Sequence, residues 1–377
     1  PSGTPNKYSG ASCVAVSQTS ITCTKRPGVG LNLLWRVTVE GQVSDVYTAK
    51  STNYSQPVVT SFSGPGASGA STRGSESITI VGTHFGESHT EISAKYGPIV
   101  DGSIDAKYTA TGCIVVTHEK VTCNTTVGVG GALSWIVTIG LQASEPSGVT
   151  TSYVIPHLSS IHGAAADAAT TTNGGVAITL TGDNFGPLGL TGTDVVVNYG
   201  PAKKYTANGC SVDVLQTSIT CTTAEGVGTG LQWMVTIGLQ QSSVLMSDTT
   251  DYLPPSVSGL ASGSDSPTEG GETVTISGTG FGPIGNSDAG AAYGPSTGDT
   301  SKYVVASCTV NSQVEMECVT IAGVGADLQW KVVVGLQDST PLFTSTKTKY
   351  ALPTILTREI VGGGDTLDTA GGQEVLL

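Results

Sequence analysis

"CVAVSQTSITCTKRPGVGLNLLWRVTVEG", residues Cys13–Gly41, carries three features in order: a pair of cysteines, a Gly-Val-Gly, and an alternating run around a tryptophan. The same order returns three more times. Trp35, Trp135, Trp233 and Trp330 are spaced by 100, 98 and 97 residues. The cysteines fall as Cys13 and Cys23, Cys113 and Cys123, Cys210 and Cys221, and Cys308 and Cys318, each first cysteine preceded five residues earlier by Tyr8, Tyr108, Tyr205 or Tyr303. Self-similarity at a fixed period marks a repeat architecture before any element is assigned.

A second signature lies between the repeats of the first. It reads "ESITIVGTHFG" from Glu76, "VAITLTGDNFG" from Val176 and "ETVTISGTGFG" from Glu272, with a Tyr-Gly following at Tyr96, Tyr199 and Tyr293. A proline opens each next unit at Pro57, Pro156, Pro255 and Pro353. The chain therefore divides into the back part of a repeat (1–56), complete repeats at 57–155, 156–254 and 255–352, and the front part of another (353–377).

Within a repeat the period is two. In "LLWRVTV" the side chains of Leu33, Trp35, Val37 and Val39 share one face, and "LSWIVTI", "LQWMVTI" and "LQWKVVV" repeat the alternation. No window sustains a helical pattern. Short strands divided by Gly, Ser and Thr turns in units of this size predict an all-β fold of tandem immunoglobulin-like β-sandwiches. The four tryptophans and Phe85, Phe185 and Phe281 are expected to fill the cores; the competing reading is a surface tryptophan that stacks on sugar.

Folded as an antiparallel hairpin centred near Gln18, "CVAVSQTSITC" brings Cys13 opposite Cys23. The same folding pairs Cys113–Cys123, Cys308–Cys318 and, with one extra residue for a longer turn or a bulge, Cys210–Cys221. Closing such a loop contributes roughly 2.5–3 kcal/mol through the unfolded state. Zinc is the rival, but there is no close C-x-x-C knuckle and each repeat holds only one pair. Four disulfides imply an oxidising, secreted or cell-surface setting. The sequons "NYS" at Asn53 and "NTT" at Asn124 are candidate N-glycosylation sites for that setting, and a Ser/Thr-rich stretch from Ala261 suits O-glycans.

Charge and motif exclude several classes. Only 12 % of residues are charged, the net charge is -13 and no Lys/Arg block exceeds two, so nothing supplies the basic stripe that nucleic acid requires. No apolar run is long enough for a membrane-spanning helix. Each Gly-Val-Gly leads into a strand rather than a helix, so turn dihedrals explain its glycines better than a phosphate cradle does. There is no G-x-S-x-G elbow, and Asp and Glu form no repeated pair. The five histidines, His84, His89, His118, His157 and His162, recur at no aligned position; His157 and His162 could approach one another but lack a third ligand. Catalysis is not expected, nor a resident metal or cofactor, although Asp183, Asp194, Asp265, Glu269 and Asp288 offer oxygens of the kind that weakly bound calcium takes.

The opening proline, the "GG-x-VTI-x-G-x-x-FG" run, the later Tyr-Gly and the closing tyrosine together resemble the IPT/TIG family of immunoglobulin-like domains. The matching residues are Gly174–Gly175 with Phe185–Gly186, Gly270–Gly271 with Phe281–Gly282, and Gly371–Gly372; the first complete repeat has "RGSES" where the glycine pair would stand. The cysteine hairpin with "GVG-x-x-L-x-W" is similar to tandem members in large secreted or surface proteins of microbial eukaryotes. The resemblance implies an immunoglobulin-like fold but little about function, since the family serves receptors, surface proteins and transcription factors.

Only about two residues separate the last strand of one repeat from the proline of the next, which leaves the joints little slack. An end-to-end array of this length would run roughly 130–160 Å. Leu377 aligns with Ile276 and Pro1 near Pro295, so the two part-repeats do not sum to one domain. The expectation is a section of a longer repetitive polypeptide that self-assembles or packs against neighbouring repeats: a structural segment of an extracellular fibre, appendage or wall filament. The alternative is an adhesin or receptor ectodomain that binds carbohydrate or protein.

Overall fold

The computed structural model describes residues 8–261, 265–339, 343–361, 366 and 374–376. Gly371 and Gly372 lie outside the described residues. The chain is a series of tandem immunoglobulin-like β-sandwiches built from short antiparallel strands. It falls into two compact units: Pro1–Ala168 with Gly175–Ala224 and Gly230–Thr250, and Ala169–Gly174 with Glu225–Thr229 and Asp251–Leu377.

In the first unit, residues 57–155 form one sandwich. One sheet runs Thr111–Thr117, Lys120–Asn124, Ser77–Thr83, Val58–Ser63; the facing sheet runs Tyr108–Thr109, Ile92–Gly97, Ser134–Ile139, Gln142–Ala143. The two-residue alternation of the sequence sends Ile78, Ile80, Trp135 and Val137 inward, all at 0 % exposure. The indole of Trp135 stacks on Tyr96, centroids 4.1 Å apart, and its Nε1 donates to Thr151 Oγ1 at 2.9 Å. That bond satisfies the one polar atom an indole brings into a core. Phe85 is fully buried beside them.

The same plan recurs in His157–His162, Ala177–Asp183, Ser218–Thr222 and Asn208–Val214, facing Tyr205–Thr206, Val195–Tyr199, Leu231–Ile237 and Gln240–Gln241. Leu245–Thr250 also pairs with Leu231–Ile237. Here Trp233 stacks on Tyr199 at 4.1 Å and donates to Thr250. An α-helical turn, Ala164–Asp167, and two 3-10 turns, Gly192–Asp194 and Pro201–Lys203, interrupt the strands.

The second unit repeats it with Ser256–Ala261, Thr273–Thr279, Glu315–Val319 and Ser307–Ser312 facing Tyr303–Val304, Ala289–Pro295, Leu328–Val334 and Gln337–Asp338. Trp330 stacks on Tyr293 at 4.5 Å. Farther along, Glu359–Ile360 pairs with Val375–Leu376.

Residues 8–56 hold the cysteine hairpin Ala11–Ser17 with Ser20–Thr24, and a ribbon of Leu33–Trp35 with Tyr47–Thr52. The expectation that Trp35 is a core residue is corrected here: it is 43 % exposed. Its Nε1 keeps the bond to Thr52 Oγ1, but residues 8–56 contain no counterpart of the strands that carry Tyr96, Tyr199 and Tyr293. Half the sandwich that would cover the ring is not among them.

All four cysteine pairs are joined, with Cα atoms 4.0 to 4.3 Å apart. Cys308 faces Cys318 directly, whereas the register slips beside Cys13, Cys113 and Cys210. The extra residue of Cys210–Cys221 sits in the turn: Val214 pairs with Ser218, where the hairpin before it pairs Thr117 with Lys120. The missing glycine pair of "RGSES" also has a local account. A Cβ on Gly74 would stand 2.5 Å from the Thr126 carbonyl carbon, so the first position stays glycine. At the second, Gly175 and Gly271 meet nothing within 4 Å, and Ser75 takes the same left-handed conformation there at φ 65°.

Candidate functional site

At Val29, Val129 and Val227 the recurring Gly-Val-Gly reaches a neighbouring repeat. Its pose begins in the repeat's own core. In residues 57–155 the phenols of Tyr96, Tyr108 and Tyr153 cluster, Tyr153 sharing a hydrogen bond with Tyr96 at 2.6 Å and donating to the Thr126 carbonyl at 2.7 Å. Burial, then the bond with Tyr96, holds the Tyr153 hydroxyl far above its ordinary pKa; burial also raises Tyr96 and Tyr108.

The Tyr108 hydroxyl clamps Val129 from both sides, donating to its carbonyl at 2.9 Å and accepting from its N–H at 3.1 Å. Tyr8 holds Val29, and Tyr303 holds Val324, by the same pair of bonds. Gly128 is squeezed against this cluster: a Cβ there would lie 2.7 Å from Tyr108 and from Tyr153. Gly130 has φ +111°, as the turn reading anticipated for such glycines, and its carbonyl accepts from Tyr153 N–H at 2.9 Å. The tyrosine five residues before the cysteine, the final tyrosine and the Gly-Val-Gly are thus one rigid assembly.

That assembly presents the valine to the next repeat. In the first unit Val29 and Val129 are 5 % and 4 % exposed. They lie over the glycines of the Phe-Gly pairs, Gly86 and Gly186, in the space that a Cβ on either glycine would need. In the second unit Val227, 4 % exposed, lies the same way over Gly282, 2.5 Å from a Cβ there.

Each contact is locked by polar bonds. Gln142 Nε2 donates to the Tyr54 carbonyl at 2.8 Å while its Oε1 accepts from Gly30 N–H at 3.2 Å. Gln240 donates to the Tyr153 carbonyl and Gln337 to the Tyr252 carbonyl, both at 2.9 Å. A further glutamine at the cysteine-hairpin turn reaches back. Gln216 donates to the Thr72 carbonyl at 3.1 Å and accepts from Thr72 Oγ1 and Gly186 N–H. Gln313 pairs with Thr172 likewise. Backbones also meet directly. A Cβ on Gly140 would stand 2.8 Å from Gly30 N, on Gly238 2.7 Å from Gly130 Cα, and on Gly335 2.6 Å from Gly228 N.

Composition and motif reading did not find these glutamines. The available signal was "GLQ", repeated at Gly140, Gly238 and Gly335. The other singled-out residues fall elsewhere. Asn53 and Asn124 are both exposed, and Asn53 Oδ1 accepts from Asn32 N–H. Phe85, Phe185 and Phe281 are fully buried. His157 and His162 stand at opposite ends of one strand. Asp194 pairs with Lys107 and Asp265 with Lys349, and among the described residues no three His, Cys, Asp or Glu side chains come together as a metal site.

No protein-family profile matches this chain, and no curated protein matches it. Solved structures similar to it include the extracellular region of plexin A4 (15 % identity over 85 % of this chain and 28 % of that one, TM-score 0.26). Another is an Escherichia coli adhesin (14 % identity, 79 % of this chain and 100 % of that one, TM-score 0.22). A third is a surface glycan-binding protein from Prevotella bryantii (13 % identity, 64 % of this chain and 59 % of that one, TM-score 0.33). This chain spans 28 % and 34 % of the two plexin A4 chains.

Proposed function

We propose that this chain is a stretch of a non-catalytic, extracellular structural protein: tandem repeats of IPT/TIG type that form part of a surface fibre, appendage or wall filament. One observation carries the reading. The valine of a Gly-Val-Gly is seated on a glycine of the following repeat three times over, each time with a glutamine bonded to the preceding repeat's final tyrosine. Residues that recur in the sequence are thereby used in packing, inside a repeat or between two.

Joints packed and bonded in this way suit a stiff series better than flexibly strung domains. Four disulfides tie neighbouring strands of individual repeats and suit an oxidising exterior. Electron microscopy of the native protein tests the proposal. Filaments or surface appendages with this chain in their shaft are the expected result; dispersed monomers on native material would overturn it. Specific retention on a glycan array, lost when one exposed aromatic is replaced, would move the reading to an adhesin.

A further inference from the structure

Val324 belongs to the same Gly-Val-Gly loop as Val29, Val129 and Val227, and Tyr303 holds it by the same two bonds. Its partners in that series are 4–5 % exposed, but Val324 is 64 % exposed. The Tyr350 N–H bonds to the Gly325 carbonyl at 2.9 Å, as Tyr153 does to Gly130, so the loop is set in the docked conformation. Exposed valine held rigidly in a shape used three times for one kind of contact identifies its occupant by continuity with those contacts.

The opposite face of the repeat has a matching requirement. The turn that approaches the preceding loop begins with Gly140, Gly238 or Gly335, where a Cβ would come within 2.6–2.8 Å of that loop's backbone. In residues 8–56 the aligned position is Glu40, with φ +45°, followed by Gly41. The hairpin turn tolerates the glutamate; a seated Gly-Val-Gly loop would not.

We infer that the Gly323–Gly325 loop is a docking surface for another immunoglobulin-like repeat of this kind, one with glycine at both the Phe-Gly and Gly-Leu-Gln positions, and that Glu40 bars the same contact at the repeat of residues 1–56. The series is therefore directional, and a single side chain decides whether a repeat can be stacked upon. This rests on the junction and not on the fibre: it can fail where filaments are found, and hold where none are.

The test compares maleimide labelling of Val324→Cys in the full chain with the same variant extended after Leu377 by a copy of residues 277–352. Because Leu377 aligns with Ile276, the extension completes a repeat. Labelling is expected to slow by about tenfold or more, to the rate of Val227→Cys in the unextended chain. Gly335→Glu within the copied segment, which reproduces Glu40 in its own turn, is expected to restore the fast rate. Mass spectrometry of the copied cysteine pair verifies that the added repeat has folded. Unchanged labelling beside a folded extension would overturn the docking surface, and protection that survives Gly335→Glu would overturn the role of Glu40.

Discussion

Val129 occupies the space above Gly186 that any larger residue at that position would need. The two belong to successive repeats, and the valine owes its 4 % exposure to that contact. Val129→Ala should cost about 1–3 kcal/mol through lost burial. Gly186→Ala should cost at least as much, since it adds a clash to a left-handed backbone at φ +84°. Chemical denaturation of the full chain measures both. Non-additivity in the double variant is expected, because the two changes act on one contact.

The tryptophans predict a contrast. Trp233→Ala removes a fully buried ring stacked on Tyr199 and should cost about 3–5 kcal/mol. Trp35→Ala should cost no more than about 1.5 kcal/mol, because that ring is 43 % exposed. Denaturant midpoints of the two variants, with intrinsic fluorescence from the remaining tryptophans, decide the matter.

Burial raises the pKa of Tyr96, Tyr108, Tyr153 and Tyr350 above the ordinary 10.0. A folded-state pKa above the unfolded one leaves stability whole below about pH 10 and drains it as pH rises further, since only the unfolded chain then releases the proton. Absorbance titration near 295 nm should show the clustered phenols ionising only with cooperative loss of near-ultraviolet circular dichroism.

Leu141, Leu239 and Leu336 each occupy the second residue of a tight turn at φ +64° to +67° and are 76–94 % exposed. Gly41 fills that place in residues 8–56. Leu239→Gly should therefore leave stability unchanged or raise it by up to about 1 kcal/mol, as relief of left-handed strain outweighs the added chain entropy. Thermal unfolding measures it; a clear loss would mean the leucine packs in a way its exposure does not show.

Much of the fold was legible because its markers are local. Alternation around each tryptophan, cysteines at hairpin spacing and tyrosines in register describe strands and cores that lie within one repeat. The exposure of Trp35 was not legible, because burial depends on strands that this residue's own segment does not contain. The Gly-Val-Gly was read as a turn, which accounts for Gly130 but not for Gly128, held bare by two tyrosine rings, nor for the valine's destination. Gln142, Gln240 and Gln337 lie about 85–88 residues from the carbonyls they meet, beyond the reach of any periodicity argument. Junction chemistry is long-range in sequence, and only the folded chain brings its halves together.

Backbone residual dipolar couplings, recorded on the full chain in a dilute alignment medium, test the fixed junction most directly. Couplings from residues 57–155 and from the two sheets of residues 156–254 should fit a single alignment tensor, as a seated Val129 and a bonded Gln240 require. Two tensors of different magnitude would mean that these repeats reorient independently, and the junction as described would be contradicted.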